Sequence, residues 1–202
     1  MEHKRTFLVE KILLGVALLV SVWGFWYFEE ILSLKVLSLI FALGGIYLIF
    51  GKKKETSQFT SQRELLVLFI LYLSVLTLYN FLYGMSLPLY MILIILLALV
   101  IIIFYSLFSL DDFRNLLGKH VFQALIALLV IIASEIFIAL YFWPVAPETK
   151  SLIFVIIFYL IMSLIYLYIH SMLRLKRAAG FIIVSFLILG IILLITWFGF
   201  GK

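Results

Sequence analysis

Apolar positions fill seven long runs of this chain, at about 8 to 28, 31 to 50, 64 to 83, 87 to 109, 120 to 143, 151 to 173 and 179 to 199, with short polar stretches between them. About 20 apolar residues carry a helix across the ~30 Å hydrocarbon layer of a bilayer. A helix satisfies its backbone hydrogen bonds internally there, which an isolated strand cannot do. The pattern therefore predicts an all-α, polytopic integral membrane protein, a bundle of seven transmembrane helices forming a single transmembrane domain over residues 1–202. The first run has no small-residue cleavage site after it and is followed by six more, so it is read as a retained span.

Local chemistry marks several boundaries. Ser61-Gln62-Arg63-Glu64 has the spacing of a capping box, which predicts that the third helix starts there. Ser109-Leu110-Asp111-Asp112 repeats that spacing, and Phe113, Leu116 and Leu117 fall on one side before Gly118. The stretch 110–118 is accordingly expected to form a short amphipathic helix at the membrane surface. Pro88 opens the fourth span, and Pro144 and Pro147 follow the fifth, where no interior helix hydrogen bond is lost.

Composition agrees with a bilayer environment: 67% of the residues are hydrophobic and 12% charged, against about half and a quarter in soluble domains. The net charge of +5 does not form one basic patch, and no nucleic-acid surface follows from it. Instead, twelve of the fifteen basic residues collect at alternate ends of the runs, in clusters around Lys4, Lys52, Arg114 and Arg174. Cytoplasmic loops retain positive charge, so the N-terminus is expected in the cytoplasm and the C-terminus outside. Trp23, Trp26, Trp143 and Trp197 then all fall toward the outer boundary, where tryptophan is favoured. The charge bias and the lack of a targeting segment favour a bacterial-type inner membrane over other cell membranes. With no cysteine, disulfides, thiolate metal sites and cysteine nucleophiles are excluded.

The polar residues inside the runs are the candidates for chemistry. Glu135 stands in the apolar stretch Val130–Leu140, eight residues before the outer end of its run and thus about 12 Å deep. A carboxylate at that depth costs several kcal/mol unless it is paired, and ordinarily faces protein or water (roughly 3 kcal/mol on insertion scales). Helical projection puts it beside Ala124, Ala127, Ile131 and Ser134, small residues that predict a packed face. Lys35 is expected roughly 6 to 7 Å deep at the start of the second span, with a stem long enough to reach down toward Glu135, and it shares one side with Ser38, Ala42 and Gly45. Ser74, Thr77 and Asn80 make a polar strip on the third span. Glu135, Lys35, Thr77, Asn80 and Ser134 together are the candidate intramembrane site, lining a small outward-facing cavity. The structural alternatives are a protonated Glu135 bonded to a neighbouring helix, and a Lys35 that snorkels to headgroups or meets Glu30.

At the cytoplasmic end Asp111, Asp112, His120 and His170 are expected at similar depth, a weaker candidate for holding a divalent metal. Their spacing matches no ligand motif. Glycine-rich phosphate loops, a Gly-x-Ser-x-Gly elbow and a Schiff-base lysine in the last span are missing, so no cofactor is implied. Residues 91 to 104 carry no polar side chain and suit lipid or a flat contact with another membrane protein. Tyr159, Ser163 and Tyr166 form a candidate packing seam on the sixth span.

The function these features favour is a non-enzymatic accessory, assembly or scaffold subunit. Its partners would be the lipid bilayer and either another membrane protein or further copies of itself, with no nucleic acid. The alternative is a small proton- or ion-coupled secondary transporter working through Glu135. The third is a membrane-embedded enzyme acting on lipid headgroups at the cytoplasmic face.

Overall fold

The computed structural model describes residues 2–30, 32–50, 57–84, 87–108, 119–169 and 175–199. Among these residues there are seven helices and no strand: α1 (Glu2–Phe28), α2 (Leu32–Phe50), α3 (Ser57–Gly84), α4 (Leu89–Phe108), α5 (Lys119–Tyr141), α6 (Pro147–Ile169) and α7 (Leu175–Gly199). Each overlaps one of the apolar runs. Four contain stretches long and apolar enough to cross a membrane, at Lys11–Phe28, Glu64–Gly84, His120–Tyr141 and Pro147–Tyr168. The described apolar stretches of the other three are shorter, at Leu32–Tyr47, Leu89–Phe104 and Ile182–Ile192. The described elements are therefore all helical, and four of them have the length and composition of membrane-crossing helices. The surface helix expected at 110–118 lies outside the described residues.

The helix boundaries follow from backbone chemistry, with one correction. The Pro88 carbonyl accepts the first bonds of α4, from the amides of Met91 and Ile92. Pro147 opens α6 with Glu148 in the first turn, where a fixed φ and a negative charge both suit a helix N-terminus. α3, however, begins at Ser57, so the expected capping box at Ser61–Glu64 lies inside the helix. A capping residue needs non-helical backbone, and here the helix runs on for roughly one more turn ahead of Ser61.

The described residues form two compact units, divided between Ser134 and Glu135. In the first, α1 packs against α2, α3 and α4, and α3 also meets α2 and α4. α3 is the most enclosed of the long apolar helices: 61% of its membrane-length stretch is buried, against 22% for α5. From Ile70 to Tyr79 only Tyr72 is less than buried. α1 turns Leu14, Ala17, Leu18, Ser21 and Val22 inward, a three-and-four spacing that gives one helix face. α2 buries Ser38, Ala42, Gly45 and Ile49, the side on which its small residues were expected to pack. α4 buries Ile92, Leu96, Leu99, Val100 and Ile103 and exposes Ile94 and Ile95, although its sequence has no polar face to mark the difference.

In the second unit α6 packs on α7. Buried Phe137, Phe154 and Phe158 form its aromatic centre, with Phe137 and Phe154 edge to face at 6.4 Å and Phe154 stacked on Phe158 at 6.2 Å. Tyr159 and Tyr166, expected in a core seam, share a side as projected but lie exposed. The same tilt toward the outside holds for α7, where Ile183, Val184, Phe186 and Leu187 are all exposed.

Candidate functional site

α5 is a helix because nothing from Lys119 to Tyr141 interrupts it: there is no proline or glycine, and its leucines and alanines are strong helix formers. Its inward row is Phe122, Leu129, Ala133, Phe137 and Leu140, all buried. The opposite row, Val121, Ala124, Leu128, Ile131 and Glu135, is exposed along its length. Alternating steps of three and four residues give this row the geometry of a helix-packing seam. Ile131, one turn before Glu135, is 55% exposed.

The structure thus keeps the expected grouping of Glu135 with Ala124, Ala127 and Ile131, but all four are exposed and not packed as expected. Glu135 lies six residues before Tyr141, the end of α5, which is about 9 Å along the axis. Among the described residues its carboxyl has no hydrogen bond or ion pair. The adjacent hydroxyl cannot supply one, because the single proton of Ser134 Oγ is donated at 2.8 Å to the Val130 carbonyl.

The other candidates of the intramembrane set belong to the first unit. Lys35 is half-buried, and its carbonyl ties the α1–α2 hairpin: Trp26 Nε1 donates to Lys35 O and to Ser38 Oγ, each at 3.0 Å, while Ser38 Oγ donates to Lys35 O at 2.8 Å. The polar strip of α3 faces α1. Ser74 Oγ meets Ser21 Oγ in a short hydrogen bond across the interface. Ser21 Oγ also lies 2.6 Å from Ala17 O, and Ser74 Oγ lies 2.8 Å from Ile70 O. Each hydroxyl has one proton, so one serine donates to its own helix while the other donates across.

Thr77 is 8% exposed and its Oγ1 has no hydrogen-bond partner among the described residues. It fills the notch left by Gly24 of α1, where an added Cβ would overlap the Thr77 methyl and come within 3.0 Å of Oγ1. Asn80, one turn on, is half-buried. At the other candidate site His120 is exposed, while Asp111, Asp112 and His170 lie outside the described residues. Among the described residues no group of three or more His, Asp or Glu side chains gathers to hold a metal.

Nothing matches. Comparison of the chain with protein-family models, characterised proteins and solved structures finds no relative, so its function rests on its own residues.

Three residues absent from the sequence-based site matter in the structure. Ser21 and Gly24, with Ala17 before them, are the small residues through which α1 approaches α3; their spacing of four and three was a visible signal. Lys150 is 1% exposed, and its Nζ donates at 3.0 Å to the carbonyl of Tyr141, the last residue of α5. Carbonyls at a helix C-terminus have no partner in their own helix and carry partial negative charge, so a cation reaching back from the next helix satisfies both. The signal was a lysine one short turn beyond the end of an apolar run.

Proposed function

We propose that this chain is an accessory or assembly subunit of a membrane complex and that the outward face of α5 is where it meets its partner. The observation that carries this is Glu135: an exposed acid in a row of apolar side chains, within a helix long enough to cross the bilayer. Lipid tails offer a carboxyl neither hydrogen bond nor charge, and the cost of leaving it so is several kcal/mol (about 3 on insertion scales). Covering that face with protein removes the cost. Among the described residues Ser21, Ser74, Thr77 and Lys150 are engaged in helix packing and helix ends, which suits a non-catalytic role.

In this proposal all seven helices cross the membrane, with the N-terminus on the cytoplasmic side. The support is the alternation of Lys and Arg between the ends of the apolar runs. A bacterial-type inner membrane is the setting that bias fits best.

The test is the size of the full chain when it is extracted in mild detergent from its own membranes. It is expected to migrate as an assembly larger than one chain, and Glu135→Leu is expected to release it as a monomer while its helical content stays unchanged. A wild-type chain that migrates alone, well folded, under the mildest extraction contradicts the proposal. The transporter alternative makes a separate claim, that Glu135→Gln abolishes proton-linked uptake in vesicles.

A further inference from the structure

We infer that the helix covering α5 places a basic side chain, lysine or arginine, against Glu135; this rests on the docking role proposed above and names the chemistry of the partner. Glu135 needs a donor, and its own helix provides none. Within one turn on either side lie Ile131, Ile132, Ile138 and Ala139, which have no side-chain donor, and the Ser134 hydroxyl is committed to the Val130 carbonyl. No other described residue supplies a hydrogen bond or ion pair. Among the described residues the carboxyl is therefore left open to a donor from a second chain.

Charge decides between the possible donors. Two unit charges at contact attract far more strongly in a low-dielectric setting than in water, so a cation offsets the desolvation of a carboxylate where a neutral group only shares a proton with it. A second copy packed α5 to α5 about a twofold axis would set Glu135 beside its own counterpart, an acid facing an acid with no base between them. A different chain with a cation has no such conflict. The surface also has room for one: Ala139, one turn beyond Glu135, is exposed and small, so a long lysine or arginine stem can lie along α5 to reach the carboxyl. Leu128 and Ile131 on the other side are apolar and exposed, so a helix seated on them would shield the pair from water. Intramembrane acids and bases are commonly paired in this way.

The experiment reconstitutes the full chain in lipid vesicles with synthetic leucine-alanine transmembrane peptides and measures association by energy transfer between a label on each. One peptide carries a single lysine at Glu135's distance from the helix end, one a glutamine there, and one only leucine. The lysine peptide is expected to bind about tenfold more tightly than the leucine peptide, and Glu135→Leu is expected to abolish that preference. Equal binding of all three peptides overturns the inference and leaves docking on α5 in place. So does a glutamine peptide that matches the lysine peptide, since a neutral donor would then suffice. Glu135-dependent pairing of the chain with itself that shuts the peptides out also overturns it, in favour of a second copy. If no peptide binds at all, both the inference and the docking role fall.

Discussion

Gly24→Val is expected to separate α1 from α3 and to leave little folded chain, with a loss of stability beyond the ~1–3 kcal/mol usual for overpacking a core. A single added Cβ at Gly24 already overlaps the Thr77 methyl and approaches Thr77 Oγ1 to 3.0 Å and Thr77 Cβ to 3.3 Å. Threonine is branched at Cβ and stiff, so it has little freedom to swing away. Gly24→Ala is therefore expected to destabilise by about 1–3 kcal/mol, and Gly24→Val by more. Thr77→Ala should restore most of the loss in the alanine variant, because it removes both overlapping atoms and leaves only the contact at Cβ. It also removes a buried hydroxyl that has no partner. Gly44→Ala is the control: nothing lies within 4 Å of the position, so it should be neutral or slightly stabilising, helped by up to ~1 kcal/mol of helix propensity. Denaturant unfolding of the purified chain in mixed micelles measures all four. Equal effects at Gly24 and Gly44 would show that α1 and α3 are not packed as described.

Lys150→Met is expected to lower stability by about 1.5–3 kcal/mol, the range for a hydrogen bond that involves a charged group. The substitution keeps the length and volume of the buried stem but leaves the Tyr141 carbonyl without its ammonium donor. Lys150→Ala should cost more, because the packing of the stem is lost as well. The connection Phe142–Ala146 is held at its ends by few backbone bonds, among them Trp143 N to Leu140 O at 3.2 Å and Lys150 N to Ala146 O at 3.1 Å. Amide hydrogen exchange across Phe142–Val145 should therefore speed up in Lys150→Met before the helices themselves are affected. Unchanged stability and unchanged exchange would show that the amine contributes nothing to the α5–α6 turn.

The helices were legible in the sequence because a bilayer asks for one thing above all, a long apolar run, and seven such runs are present. Which residues share a helix side was also legible, since helical periodicity alone sets it. Ser38, Ala42 and Gly45 on α2 and the grouping of Ala124, Ala127, Ile131 and Glu135 on α5 both follow from it. Whether a side points inward was not always legible. In water an apolar stripe marks the core, but in lipid the outside is equally apolar and the contrast disappears. Small residues resolved it on α2, where Ser38, Ala42 and Gly45 are buried. They misled on α5, where Ala124 and Ala127 are exposed. Tyr159 and Tyr166 show the same ambiguity on α6. The Ser74–Thr77 strip was visible as polar, but its partners Ser21 and Gly24 come from a helix some fifty residues away, and no local pattern pairs them. Lys150 was hidden for a simpler reason: its role depends on the turn that brings α6 back to the end of α5.

The central claim is that the outward face of α5 is covered by protein. A photoreactive amino acid placed at Ile131, beside Glu135 on that face, tests it in intact membranes. The comparison position is Ile40 on α2, which is 60% exposed and carries no neighbouring acid. Irradiation is expected to give a discrete protein adduct from Ile131, lost when Glu135→Leu is added, and lipid adducts from Ile40. Lipid adducts alone from both positions would contradict the claim.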